Sequence, residues 1–355
     1  MRGIFWPPPA ESYVGSLPER ADILVIGGGI AGTSLMHHLA KRRFSAVLVE
    51  ANHIAFGASG RNAGFLLAGV ADCYSEAVRI FGREKAREVW HITDENHDRM
   101  VEAVAGTAVG HRRLGSATFA SGEEEGARLE ESAQLLRDDG FQALWDGTRL
   151  VNPRDGEINP ALLVGALAGR LKEGAIREGV EVTGVVPAGA EVSVRSGESE
   201  CRAGVVILAT NGYTSRLLPQ VKIQPTRAQM LASAPVSKTI VDMPTYSHFG
   251  YQYWRQLVSG ELLIGGWRDT SMETEVGYDD QPTDQIQEHL DRKLAEMSPG
   301  AEVTNRWAGI MGFTETGLPL AGPVEGMRNV YTCAGFNGHG MGFAFMSAKR
   351  LVEMI

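Results

Sequence analysis

The chain has 355 residues, 43% apolar and 22% charged, the proportions of a soluble globular protein with a sizeable core. That length suits two structural domains, interleaved in sequence. A net charge of −9 gives no electrostatic footprint for nucleic acid or an anionic membrane, and no apolar run approaches the roughly 20 residues that span a bilayer. Residues 1–20 lack the apolar core of a secretory signal. They read as an extended arm, stiffened at Pro7 to Pro9, that lays Phe5 and Trp6 on the body. Cys73, Cys201 and Cys333 lie far apart with no CxxC pair, which fits a reducing cytoplasm and leaves no metal site expected.

In chain order, residues 22–50 come first: an apolar run at 23–26, a glycine-rich turn, a helix and a second strand ending in Glu50. Gly27, Gly29 and Gly32 stand in G-x-G-x-x-G spacing. In that context the first glycine permits the tight turn, the second lets backbone approach a pyrophosphate, and the third lets helix pack on strand. The helix N-terminus adds free N–H groups and a positive dipole end. Glu50 suits an unphosphorylated adenosine ribose and disfavours NADP. At this point the dinucleotide itself is open.

Residues 55–65 are small and let backbone pass close to something bulky and flat. Apolar spacing predicts helices over 75–105, 122–139 and 161–172. Within the first of these, His91, Asp94, Glu95, His97 and Asp98 read as a solvated face rather than a metal cluster. Residues 175–186 and 191–195 are strand-like. Residues 204–209 form a second buried strand ending in Thr210-Asn211-Gly212, the polar strand end at which α/β sheets meet ligands. Residues 221–234, 248–258 and 261–267 then predict an antiparallel sheet. Period two places Tyr251, Tyr253 and Arg255 on one face and Gln252 and Trp254 on the other. A helix over 282–297 follows, and the chain ends in a strand, a glycine-rich loop and a helix beginning near Met341.

These landmarks carry a resemblance. Residues 22–50, GASGRNAG at 57–64, VILATNGYTS at 206–215, WAGIMGFTETGLPLAGP at 307–323 and CAGFNGHGMG at 333–342 occur in the order seen in the FAD-dependent amino-acid and amine oxidoreductase superfamily. That superfamily includes D-amino-acid oxidase, glycine oxidase and sarcosine oxidase, and the chain is most similar to its gamma-glutamylputrescine oxidoreductase-like branch. The resemblance implies an α/β fold: a Rossmann-type, glutathione-reductase-like FAD domain from residues 21–85, 150–220 and 314–355. An interleaved α+β substrate or cap domain on an antiparallel sheet would comprise 86–149 and 221–313.

It also implies site residues. Gly27, Gly29, Ile30, Ala31 and Gly32 would hold the FAD pyrophosphate, Glu50 and Ala51 the ribose, and Val182 the adenine. Ala58, Ser59, Arg61, Asn62, Ala63 and Gly64 would run past the pyrophosphate and flavin ring, with Ala209, Thr210 and Gly212 at the strand end. Gly335, Asn337, Gly338, His339, Gly340 and Met341 would close over the flavin. Met311 stands where sarcosine oxidase carries flavin on a cysteine, so noncovalent FAD is expected. Met311 also replaces the arginine with which D-amino-acid and glycine oxidases grip a carboxylate, leaving Arg255, Arg268 and Arg306 as alternatives.

The expected substrate pocket is the Tyr251/Tyr253 face with Arg255, roofed by Trp267, Met311 and His339. The expected reaction is oxidation of a C–N bond in a small amine or amino acid, with O2 or another acceptor taking the electrons. The oxygen-activating lysine of sarcosine oxidase has no match on 261–267, so oxidase and dehydrogenase both stay open. Two other readings are a flavin-binding subunit acting with a partner, which the short final helix keeps open, and an NAD-dependent dehydrogenase. The latter explains neither the ATNG strand end nor the GFNGHGM loop.

Overall fold

The computed structural model describes residues 3–355. One sheet has the strand order Leu320–Pro323, Val330–Ala334, Ser199–Leu208, Arg20–Ile26, Ala46–Glu50, Ile176–Glu178. From Val330–Ala334 to Ile176–Glu178 all neighbours run parallel. The continuous apolar run at 23–26 follows from burial on both faces. Ile23 and Val25 point to a core shared with Leu35, Leu39, Phe345 and Leu351 of helices Ile30–Lys41 and Gly340–Val352. Leu24 and Ile26 point the other way, to Val185, Val192 and Val194 of the hairpin Gly184–Ala188 and Glu191–Ser196.

A second sheet has the order Val303–Phe313, Gln224–Ser233, Leu262–Gly266, Gln252–Gln256, Thr245–Ser247, Ser116–Phe119, Arg149–Asn152, Leu144–Trp145. It is antiparallel apart from the pair Thr245–Ser247 with Ser116–Phe119, so the expected antiparallel sheet is longer than its sequence signals and contains one parallel join. The helix expected over 75–105 is two helices, Tyr74–Phe81 and Arg83–Ala103, because Gly82 takes φ 82° between them. The strand-like run 175–186 is likewise interrupted at Gly179, φ 75°. His248, Phe249 and Gly250 also have positive φ, so the strand expected over 248–258 begins only at Gln252.

Among the described residues no helix is long and apolar enough to cross a membrane. The arm lies on the body as expected. Gly3 N–H donates to Arg306 O at 3.1 Å, the Trp6 indole donates to Asn62 O at 2.8 Å, and Phe5 stacks on Trp307.

Two buried imidazoles away from any cavity couple this fold to pH. His38 Nε2 sits 3.1 Å from Phe345 O, and His97 Nε2 sits 2.9 Å from His111 Nε2, a contact that needs one ring to donate and the other to accept. Burial lowers His38 to about 4 and His97 to about 3 from an ordinary 6.5. The unfolded chain therefore binds more protons below pH 6.5. Stability is full above that value and is lost as pH falls toward 4 and then 3. A melting temperature measured from pH 7.5 to 4 is expected to fall across this window, less steeply in His97→Gln.

Candidate active site

A single elongated cavity of about 660 Å³ joins the two sheets' facing ends. It opens at the C-terminal ends of the parallel strands, where open α/β sheets bind ligands. The turn Gly27–Ile30 forms its first wall. Gly27 takes φ 111°, and Gly32 lies so close that a Cβ on it would stand 1.8 Å from Gly27 O. The first N–H groups of helix Ile30–Lys41 thus face the cavity, and that of Ile30 donates to Ser59 Oγ at 2.9 Å. The Glu50 carboxylate accepts from Gly28 N at 2.7 Å and Asn52 N at 2.9 Å. Burial pushes its pKa up, opposed by those two backbone donors.

Of the residues singled out from the sequence, Gly27, Gly29, Ile30, Ala31, Glu50, Ala51, Ala58, Ser59, Arg61, Asn62, Ala63, Val182, Ala209 and Thr210 all line this cavity. So do Asn337, Gly338, His339, Gly340, Met341, Met311, Tyr251 and Tyr253. Gly32, Gly64, Gly212 and Gly335 do not; they are the packing contacts behind the wall. A Cβ on Gly64 would meet Ile158 O at 2.1 Å, one on Gly212 Met311 O at 2.6 Å, and one on Gly335 the Thr314 side chain at 2.5 Å. Arg61 reaches the wall, but its guanidinium is engaged by Phe56 O, Ala308 O and Asp280.

The expected pocket needs two corrections. Arg255 is 3% exposed, with Nη1 held by Gly64 O at 3.1 Å and Ile158 O at 3.2 Å, Glu157 at 3.7 Å, and Trp6 over its guanidinium. It does share the face of Tyr253, but two residues carry it roughly 7 Å along the strand, past the cavity and under the N-terminal arm. Trp267 does not roof the site either. At φ 61° it ends its strand and turns its ring into the core with Ile286 and Leu290, stacked on His289.

Tyr246 and Phe313 complete the far end without having signalled themselves, and Asn211 of the expected polar strand end proves to be a tie between loops. Tyr246, on a three-residue strand too short to read from spacing, stacks on His339 at 6.2 Å and meets Tyr253 edge-on at 5.8 Å. Asn211 accepts from Gly335 N at 3.0 Å and ties the ATNG strand end to the last glycine loop. Phe313 supports Arg268, which also lies over Tyr251. Burial lowers His339 to about 4, so its ring is neutral, and its Nδ1 is buried without a hydrogen-bond partner. Burial pushes Tyr253 up to about 12 and Tyr246 higher still, so both phenols keep their protons.

The DAO family profile, described as FAD dependent oxidoreductase, matches residues 22–354. The chain belongs to this family of FAD-dependent oxidoreductases. Among its relatives, the probable oxidoreductase OrdL of Rhizobium meliloti (strain 1021) is 26% identical over 96% of this chain and 87% of that protein. The gamma-glutamylputrescine oxidoreductase of Escherichia coli (strain K12) is 25% identical over 94% of this chain and 83% of its own. The crystal structure of glycine oxidase from Geobacillus kaustophilus superposes with a TM-score of 0.79 at 20% identity, covering 95% of this chain and 94% of that one. The expected α/β fold and FAD dependence stand.

This FAD-dependent oxidoreductase has a site that fits its cofactor. The cavity is lined continuously from Glu50 and Val182 to the tyrosines, the two places where the adenosine and the flavin of a dinucleotide would lie. Its phosphate wall is a side-chain-free turn at a helix N-terminus. The unpartnered His339 Nδ1 marks the far end as built around a polar group.

Proposed function

We propose that this protein binds FAD noncovalently and oxidises a C–N bond of an amine or amino acid. Gly27, Gly29, Ile30 and Ala31 would hold the pyrophosphate, backed by Gly32, with Glu50 and Ala51 at the ribose and Val182 at the adenine. Ala58 to Ala63, Thr210 and the loop Asn337 to Met341 would flank the ring. An FAD domain from 21–85, 150–220 and 314–355 and a substrate domain from 86–149 and 221–313 agree with the division of strands between two sheets except at 150, where strand Arg149–Asn152 lies in the second sheet. Three unpaired cysteines support a reducing, cytoplasmic setting. Met311, where a covalent link would need a nucleophile, supports noncovalent binding.

One observation carries the choice of an amine. The far end of the cavity closes on the phenols of Tyr246, Tyr251 and Tyr253, a neutral His339 and Arg268, while the lining carboxylates Glu50 and Glu181 stand at the other end. FAD held by these residues would supply a two-electron acceptor for the hydride equivalent lost from the substrate carbon. A neutral amine needs no carboxylate base for that loss, because its nitrogen lone pair stabilises the electron-poor carbon as an iminium, which water then hydrolyses to a carbonyl and an amine with release of a proton. Tyr246, Tyr251 and Tyr253 orient the amine through their hydroxyls, and their rings exclude water. The N-terminus of helix Gly340–Val352 presents N–H groups and a positive dipole end to the cavity, where they would stabilise negative charge gained by a bound flavin. O2 or another acceptor takes the electrons.

Anaerobic titration of the purified yellow holoenzyme tests this reading. Its visible absorbance is expected to bleach with a member of a panel of amines, N-methyl amines and amino acids. Bleaching by 2-hydroxy acids or glycerol phosphate alone would move the chemistry to C–O bonds.

A further inference from the structure

Resting on the amine reading above, we propose that Arg268 is the carboxylate clamp of the site. We further propose that its place selects amines whose carboxylate stands several bonds from the oxidised C–N bond. The cavity's other cations are committed or distant. Arg61 is engaged by Asp280 and two carbonyls, and Arg216 stacks on Tyr278 at 3.8 Å beside the Thr210 strand end. Outside the cavity, Arg255 is buried under the arm and Arg306 pairs with Asp291 at 2.6 Å. Arg268 lines the tyrosine end, pairs with no carboxylate among the described residues, and makes one hydrogen bond, to Met272 Sδ at 3.4 Å.

Its guanidinium is pre-set. The ring of Tyr251 lies 4.6 Å from it and that of Phe313 4.8 Å, a flat cation held by two faces. The backbone is bent to put it there. Gly266 has φ 114° and Trp267 φ 61°, and Trp267 N–H donates to Tyr251 O at 2.8 Å. A left-handed tryptophan is an uncommon conformation with a strain cost, and here it ends the strand and brings Arg268 back over Tyr251. What remains free is a fork of N–H donors at half-buried depth, the geometry that binds a carboxylate in two places.

The position sets the reach. Met311 occupies the wall beside the glycine loop, its Sδ only 3.3 Å from where a Cβ on Gly338 would stand, so that spot offers a substrate no charge. The guanidinium is over Phe313 instead, two residues and roughly 7 Å farther along the same strand. A substrate oxidised against the buried Tyr246–His339 wall and held by Arg268 is therefore gripped beyond Met311 rather than at it.

Three holoenzymes, wild type, Arg268→Lys and Arg268→Met, test this by anaerobic flavin reduction. The probes are glycine, β-alanine, 4-aminobutanoate and 6-aminohexanoate, their N-methyl forms, and n-alkylamines of matching length. The wild type is expected to prefer an ω-amino acid to both the α-amino acid and the alkylamine. Arg268→Met is expected to raise the apparent Kd of that ω-amino acid roughly 10- to 100-fold, from the loss of charge-assisted hydrogen bonds, with the limiting reduction rate changed only a few-fold. Arg268→Lys should fall between. Hexanoate, which cannot be oxidised, separates the two readings: it should perturb the oxidised flavin spectrum of the wild type and bind at least tenfold more weakly to Arg268→Met. Hexanoate binding that is absent, or indifferent to Arg268→Met, overturns the clamp even where amines reduce the flavin. Preference for α-amino acids or for alkylamines in the wild type overturns the reach. A flavin that no amine reduces, with hexanoate binding still lost in Arg268→Met, sinks the amine reading alone.

Discussion

Gly32→Ala is expected to strip the protein of FAD. The added methyl would sit 1.8 Å from Gly27 O and 3.3 Å from Leu48 Cδ1, and a carbon cannot approach a carbonyl oxygen that closely. Nothing nearby can yield. Gly27 N–H is bonded to Val49 O at 2.8 Å, and a Cβ on Gly27 itself would already touch Ala209 O at 2.7 Å, so the turn is wedged between two strands. The helix Ile30–Lys41 must therefore move, taking its free N–H groups away from the phosphates. Losing two charge-assisted bonds of about 1.5 kcal/mol each corresponds to roughly a 100-fold weaker complex. Overpacking adds about 1–3 kcal/mol of lost stability. Isothermal titration of the apoprotein with FAD measures the first effect and urea unfolding the second. Gly122→Ala is the control for FAD affinity: its Cβ meets nothing within 4 Å and it does not line the cavity, so it should match the wild type in that titration, with only a small N-cap cost in urea. Retention of FAD by Gly32→Ala at near-wild-type affinity would falsify the assignment of this turn.

The same turn shows what kind of site feature a sequence displays. Gly27, Gly29 and Gly32 are legible because the backbone itself must pass close to something, and only glycine permits that at fixed spacing. Glu50 is legible because the strand before it fixes where it ends. The ATNG strand end and the last glycine loop are readable for the same reason. The substrate end is different, since its residues meet through tertiary contacts without periodicity. Tyr246 comes from a strand of three residues whose partner, Ser116–Phe119, lies more than a hundred positions earlier. Arg255 obeys the predicted alternation and still misses the cavity, because period two gives the face of a strand and not the distance along it. Trp267 defeats alternation altogether through its left-handed φ. Helix 75–105 was continuous in apolar spacing, and only Gly82 marks the break.

Glu275→Ala is expected to destabilise the protein by about 3 kcal/mol, the low end of the cost of breaking a buried pair, because Arg227 keeps only the exposed Asp279 carboxylate. Glu275 is 1% exposed and Arg227 5% exposed. Their two hydrogen bonds, Arg227 Nε to Oε2 at 3.0 Å and Nη2 to Oε1 at 2.7 Å, are joined by Gln229 Nε2, which donates to both carboxylate oxygens. Arg227 also binds Asp279 at 3.1 Å and Gln281 O at 3.1 Å. One guanidinium on strand Gln224–Ser233 thus fastens the irregular segment that follows Arg268. That segment carries Asp280, which holds Arg61 of the cofactor loop at 2.6 Å, and Tyr278, which stacks on Arg216. Removing the Glu275 carboxylate should therefore loosen the cavity wall at Arg61 and Arg216 as well as the fold. The urea midpoint of the holoenzyme and the temperature at which flavin fluorescence appears should fall together. The double replacement Arg227→Met/Glu275→Leu distinguishes a charge effect from a shape effect. With no charge left unpaired, it should recover most of the lost stability while FAD is still released earlier than in the wild type, because Asp279 and Gln281 have lost their anchor. A double variant as unstable as Glu275→Ala would mean that packing, and not the loss of the buried carboxylate beside Arg227, sets the loss.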